Sequence, residues 1–380
     1  MNILEKMEKL NIKNVENLSG KKVLLRIDVN VSLGNNGVVD KGEDWRIIKS
    51  LQTIQFLQEQ GASVVILAHI GREKNETLKP VFEYMNEMIT LGFLPHYDDE
   101  LIRSYVSQMG KGSVVMMENV RQNDGEKKNE VSYLHTLIDV CDIYVNDAFS
   151  VSHREQASVH AVTKALPSYF GLQFMDEVKH LTEFLEHKDG TKTLVLGGAK
   201  FGTKFDLLEK MLPELDYVLM GGALANVFLK ARGFPIGKSF CDDVDVSTMV
   251  KNEKIILPID YVDEDGDVAS IDDVGTEHSI LDIGPATAEL FDQIIAHSSA
   301  IMWNGPMGKY EDGYNDGSVQ VAKSISYTDA FSVTGGGDTS TVILENDLED
   351  AFSFISTGGG AMLEFLVKGT LPGIEVILEK

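Results

Sequence analysis

The chain has 380 residues, 43% of them apolar and 24% charged, and a net charge of −25. That is too long for one ordinary core, so two domains are expected, and too acidic for nucleic acid or anionic membranes to be natural partners. Its two cysteines, Cys141 and Cys241, are far apart, which leaves no disulfide framework or cysteine-rich zinc site and fits a cytoplasmic protein. The opening MNILEKMEKLNIKN is charged where a signal peptide needs an apolar core, and no apolar run approaches the roughly 20 residues of a membrane span.

In chain order, short β-rich runs alternate with stretches of helical spacing. The first part offers VLLRIDV (23–29), SVVILAHI (63–70), SVVMMENV (113–120) and DIYVNDAF (142–149). The domain boundary is expected near LPSYFGLQF (166–174), and a helix from about Met175 to His187 is expected after it, bridging the lobes. The second part offers TLVLGGA (193–199), YVLMGGA (217–223), KIILPIDYV (254–262), AIMWNGP (300–306), AFSVTGGG (330–337) and FSFISTGGG (352–360), with an acidic loop or hairpin at Asp263–Asp273. Most runs are apolar throughout, as strands buried on both faces of a parallel sheet are. Amphipathic segments such as Trp45–Gln60 and Phe205–Leu212 lie between them. The alternation predicts an α/β chain of doubly wound parallel sheets with ligands at the carboxyl ends of strands.

Charge is uneven. Residues 1–170 carry 19 Lys+Arg and 23 Asp+Glu, net −4, whereas residues 171–380 carry 15 and 36, net −21. Six of the seven arginines, Arg26, Arg46, Arg72, Arg103, Arg121 and Arg154, lie in the first part. An acidic protein repels anions at long range, so an anionic substrate would need a local pocket of such guanidinium groups. Four predicted strand ends there deliver polar groups: Asp28 and Asn30, placed on one face at strand spacing; His69 and Arg72; Arg121; and His153 with Arg154. Each alone reads as structural, but together they suggest one shared pocket.

The second part is rich in strand–glycine–helix junctions. TGGGDTS (334–340) and STGGGA (356–361), with GGAK and GGAL, favour an anion cradle over tight packing turns. Asp338 beside such a cradle is either a helix cap or a magnesium ligand. Lys200 and Lys204, four residues apart, would share a helix face, reaching phosphates or lying on a solvated edge. GFPIGKS (233–239) has three residues between its glycines rather than the four of a P-loop, and no dinucleotide fingerprint follows the first strand.

These segments together resemble phosphoglycerate kinase over nearly the whole chain. The strings are RIDVNVS, DWRI, AHIGR, ENVR, VNDAFSVSHREQAS, LGGAKFGTK, FPIGKS, LDIGPAT, WNGPMGKYE, TGGGDTS and ISTGGGAMLEFL, in family order. The resemblance implies two Rossmann-like lobes: residues 1–168 with 366–380 for the phosphoglycerate, an interdomain helix at 169–187, and residues 188–365 for the nucleotide. It implies phosphoryl exchange between 1,3-bisphosphoglycerate with ADP and 3-phosphoglycerate with ATP, with Mg²⁺, in a monomer, and closure of two half-sites on separate lobes. Asp28, Asn30, Arg46, His69, Arg72, Arg121 and Arg154 would hold the phosphoglycerate. Lys200, Lys204, Gly221, Gly222, Asn304, Glu311, Gly336, Gly337, Asp338 and Thr339 would serve the nucleotide, Glu311 at the ribose and Asp338 at the metal. Arg46, Lys204, Gly337 and Gly360 would form the catalytic set. Departures from the family pattern are Val29, Ser32, Glu73, Ala223, Asn226 and Ala286. A catalytically weakened binding protein on the same fold is the alternative.

Overall fold

The computed structural model describes residues 2–34, 36–40, 42 and 44–379. They form two compact units, Met1–Lys179 with Lys368–Lys380, and His180–Val367. The division falls inside a continuous helix, Leu172–Glu186. That helix starts three residues before the expected Met175, because Asp147 Oδ1 accepts the Phe174 N–H at 3.0 Å and satisfies a donor of the first turn.

The first unit is built on six strands: β1 (Lys22–Ile27), β2 (Ser63–Leu67), β3 (Gly92–Leu94), β4 (Val114–Met117), β5 (Ile143–Asp147) and β6 (Ser168–Phe170). They pair in parallel in the order β3-β4-β2-β1-β5-β6. The continuous apolar runs have their explanation here. Val23, Leu25, Val64 and Ile66 pack into one core, while Leu24, Val65 and Leu67 pack into another. Successive side chains point to opposite faces, so both faces must be covered by apolar residues. The Trp45–Glu59 helix buries Ile47, Leu51, Ile54 and Leu57, spaced to share one side.

The second unit carries β7 (Thr191–Leu196), β8 (Tyr217–Met220), β9 (Ile255–Ile256), β10 (Asp260–Val262), β11 (Val268–Ser270), β12 (Asp282–Ile283), β13 (Ser298–Asn304), β14 (Phe331–Gly335) and β15 (Phe354–Ser356). A parallel sheet runs β15-β14-β13-β7-β8-β9. A separate antiparallel sheet runs β11-β10-β12, with the 263–267 turn as its hairpin connection. That third sheet corrects the reading of 254–262 as one strand. Pro258 offers no N–H to a ladder, and the run breaks there into β9 and β10 in different sheets. Among the described residues no helix is long and apolar enough to cross a membrane.

Candidate active site

In the first unit β4, β2, β1 and β5 are neighbours, so their carboxyl ends bring distant parts of the sequence together. β1 ends at Ile27, so Asp28 and Asn30 follow the strand rather than alternate along it. Asp28 is buried. Its Oδ2 accepts from Arg46 Nη1 at 2.7 Å and Ser150 Oγ at 2.6 Å, and its Oδ1 from the Asn30 N–H at 3.1 Å. Burial pushes this carboxyl upward, but Arg46 and the hydrogen bonds prevail and hold it below the usual carboxylate range. Asn30 Oδ1 accepts the Gly71 N–H at 2.8 Å, tying the end of β1 to the loop after β2.

His69 is buried, and burial together with Arg26, Arg121 and Arg154 holds it well below the ordinary imidazole range. Arg121 is buried, donates to the Gly71 carbonyl, and leaves its Nε without a partner among the described residues. Burial, then Arg26 and Arg154, pulls its pKa down to about 10. Arg154 is exposed and donates from Nε to His153 Nε2 at 3.0 Å. Arg46, Arg121 and Arg154 thus gather around Asp28 and His69. Arg72 differs: it is exposed, and its carbonyl accepts from Lys127 Nζ at 3.3 Å. Positive charge concentrated this densely in so acidic a protein is best relieved by a bound anion.

The second unit holds a cavity of about 750 Å³. Lys200, Lys204, Gly222, Asn304, Glu311, Gly336, Gly337, Asp338, Thr339 and Gly360 all line it. Gly221 does not; its N–H donates to the Leu196 carbonyl, and a Cβ there would meet Met307 Sδ at 2.6 Å, so it serves close packing. The two lysines do not share a helix face, because the helix starts at Gly202. Lys200 is exposed on the preceding loop, while Lys204 is buried in the first turn and donates from Nζ to the Gly197 carbonyl at 2.6 Å. Burial lowers Lys204 to about 8, partly opposed by Asp338.

Three helix starts frame the cavity. Gly222, Gly337 and Gly360 open the helices Gly222–Ala231, Gly337–Glu345 and Gly360–Lys368. Gly336 sits at φ +111°, a conformation that only glycine adopts readily. Asn304 Nδ2 donates to the Gly335 carbonyl at 2.6 Å, and Thr339 Oγ1 accepts the Gly305 N–H at 2.8 Å, so both brace the junction after β14. A Cβ on Gly337 or Gly360 would meet nothing within 4 Å. Packing therefore does not require glycine at either place, whereas a phosphate lodged against bare N–H groups would. Asp338 is exposed at the rim and makes no hydrogen bond or ion pair among the described residues. A single carboxylate with open valence beside a phosphate cradle suits a magnesium ion that completes its shell with phosphate and water oxygens. The GFPIGKS segment is a loop with no strand feeding it, although its Lys238 lines the cavity.

Sequence reasoning missed several groups. Ser150 binds Asp28, and Arg26 is wholly buried against His69. Asp282 lines the cavity, where burial outweighs the N–H groups of Ile283 and Gly317 and raises its carboxyl to about 7. Phe240, a further lining residue, takes the amide of buried Asn226 on its carbonyl at 3.0 Å. An arginine inside the apolar run VLLRIDV was the available clue to Arg26; a serine such as Ser150 carries no such signal.

A family model described as phosphoglycerate kinase matches residues 12–369. A phosphoglycerate kinase of Syntrophobacter fumaroxidans is 35% identical over 95% of this chain and 97% of its own length. One of Orientia tsutsugamushi is 36% identical over 95% of each chain. Among solved structures, the phosphoglycerate kinase of Coxiella burnetii superposes with a TM-score of 0.82 at 34% identity, covering 97% of this chain and 99% of its own. That of Pyrococcus horikoshii gives 0.84 at 29% identity, covering 97% and 98%. The weakened-binder alternative finds no favour in these matches. With the match running almost end to end, the chain belongs to the phosphoglycerate kinase family, kinases that use ATP and ADP as co-substrates and a carboxylate as phosphoryl acceptor.

Proposed function

We propose that the first unit binds the phosphoglycerate and the second the nucleotide, in reversible transfer from 1,3-bisphosphoglycerate to ADP. Asp28, Asn30, His69, Arg72, Arg121 and Arg154 hold the substrate's phosphate and hydroxyl end. Asp28 acts through Arg46, whose Nη1 it fixes at 2.7 Å so that the remaining guanidinium donors meet the acyl phosphate. Lys204 and the N–H groups of Gly337 and Gly360 take up charge on the nucleotide phosphates, with Gly336 shaping the turn and Lys200 adding long-range attraction. Asn304 and Thr339 keep that junction rigid, Gly222 frames the base-side turn, and Glu311 accepts from the ribose hydroxyls. Asp338 would hold Mg²⁺ with the nucleotide, and the ion would neutralise phosphate charge. The substrate carboxylate attacks as it stands, so no general base is needed.

The observation that carries this reading is the empty space in front of Gly337 and Gly360, which packing leaves unexplained. The net charge of −25 argues against nucleic acid and anionic membranes as partners, the arginine pocket suits a small anion, and a cytoplasmic monomer is proposed from the family resemblance. The test is a coupled assay of purified protein, with ATP formation from 1,3-bisphosphoglycerate and Mg-ADP as the expected result. Absence of turnover in a folded sample would refute the reading. Asp338→Asn should raise the magnesium concentration needed for half-maximal rate by about tenfold, the loss of one charged ligand.

A further inference from the structure

Behind the arginine pocket lies a buried polar chain that the scheme above leaves unused. Arg26, on β1, is fully buried. Its Nε donates to Ser158 Oγ at 2.9 Å, and Ser158 Oγ donates in turn to Glu126 Oε1 at 2.7 Å. Glu126, also fully buried, accepts the Ser158 N–H at 2.9 Å and the Tyr133 hydroxyl at 2.5 Å on Oε2. Tyr144 donates to the Ser158 carbonyl at 2.7 Å. Ser158 is therefore held on three sides, and its one hydroxyl hydrogen is committed to Glu126. Its lone pairs must face Arg26.

At the other end of the chain, Arg26 Nη2 lies 3.0 Å from His69 Nδ1. A guanidinium has no acceptor, so the bond exists only if Nδ1 carries a lone pair, and the ring proton must sit on Nε2. A proton on Nδ1 would set N–H against N–H beside a permanent charge. His69 also faces Arg121 and Arg154, with Asp28 as the opposing carboxylate, and its charge is disfavoured accordingly. Nε2 takes no partner among the described residues.

We infer that Ser158 and Glu126 are positioning residues for phosphoglycerate binding: through Arg26 they hold His69 as a neutral imidazole with its proton on Nε2, an uncharged donor for the substrate anion. This rests on the substrate-site reading above. An arginine pocket already supplies charge. What a neutral imidazole adds is one oriented donor whose state does not change between about pH 6 and 8, where an unperturbed histidine titrates.

The test combines ¹⁵N NMR of His69 in the full chain with steady-state kinetics in 3-phosphoglycerate, ATP and magnesium. In the wild type, His69 should show a bare Nδ1 and a protonated Nε2 throughout pH 6–8. Ser158→Ala removes the acceptor of Arg26 Nε, leaving its Nη1 on the Ile27 carbonyl, and should loosen the guanidinium, mix the tautomers and raise KM for 3-phosphoglycerate about tenfold with kcat within about twofold, as for lost ground-state binding. Ser158→Thr, which keeps the hydroxyl, should restore the wild-type pattern. Glu126→Gln should act in the same direction as Ser158→Ala, and serves if Ser158→Ala does not fold. A proton on Nδ1, or an imidazolium at pH 7, in the wild type overturns the inference, as do folded variants with unchanged tautomer and KM. Failure of the wild type to bind 3-phosphoglycerate would instead remove the substrate-site reading beneath it.

Discussion

On the proposed reading, the two half-sites would bind anions by opposite means. In the first unit the donors are side chains: Arg46, Arg121 and Arg154 around Asp28 and His69, each oriented by further hydrogen bonds. In the second they are largely backbone N–H groups at the starts of the Gly337–Glu345 and Gly360–Lys368 helices, with Lys204 as a buried point charge. A site made of side chains is weakened by removing atoms. A site made of backbone is weakened by adding them. The difference also tracks composition, since guanidinium groups supply positive charge where they are placed, while helix starts supply it without changing the very acidic balance of residues 171–380.

The largest effect should come from deletion in the first unit. Arg46→Ala removes the guanidinium fixed by Asp28, and kcat/KM should fall by about 10³, the cost of losing a preorganised charged donor. Circular dichroism should remain native, and near-normal turnover in a folded Arg46→Ala sample would break the contrast on the substrate side. Next is addition in the second unit. Gly337→Ala should cut kcat/KM for ADP by about 10² with little change in melting temperature, because a Cβ there meets nothing within 4 Å until phosphate arrives. Gly305→Ala is the matched control. Its φ is +93° and a Cβ would meet the Gly197 carbonyl oxygen at 2.3 Å, so the melting temperature itself should drop. If Gly337→Ala lost stability instead of activity, glycine there would be serving the fold.

A smaller effect separates the two kinds of cation. Lys204 is lowered to about 8, so it loses its charge as the pH rises through that value, and ADP affinity measured by calorimetry should decline between about pH 7.5 and 9. In Lys204→Arg the guanidinium stays charged over that range, and the decline should vanish even if affinity is lower throughout. The same group bears on stability. Its folded pKa lies below the unfolded value, so the folded state holds fewer protons between about 8 and 10.5, and this group's contribution to stability rises across that window. Equal pH dependence of ADP affinity in Lys204→Arg and wild type would remove Lys204 from the phosphate site.

What could be read from the sequence follows from which groups carry their own signal. Buried parallel strands announced themselves as unbroken apolar runs, because a strand covered on both faces has no polar side. Arg121 and Arg154 stood out because charge following such a run is costly without a purpose, glycine triplets stood out because only glycine leaves backbone N–H groups bare, and Asp338 stood out beside one of them, whereas Arg46 in DWRI was assigned only through the family resemblance. The three-residue strands β3 and β6 were too short to show periodicity, and the break at Pro258 that sends β9 and β10 to different sheets depended on which neighbours were available. Lys200 and Lys204 had the spacing of one helix face, yet the helix begins only at Gly202, so spacing alone misplaced Lys200.

The sequence by itself determined the residue types, the alternation of strand and helix, and the uneven charge that separates an arginine-bearing half from an acidic, glycine-rich one. Tertiary structure alone decided which of those groups meet. β1 lies between β2 and β5, and Arg26 reaches Ser158 across 132 residues of chain, so the tautomer of His69 is set by partners that no local pattern joins. The physical reason is that burial and hydrogen bonding act through space: a buried guanidinium must satisfy its donors wherever the fold brings an acceptor.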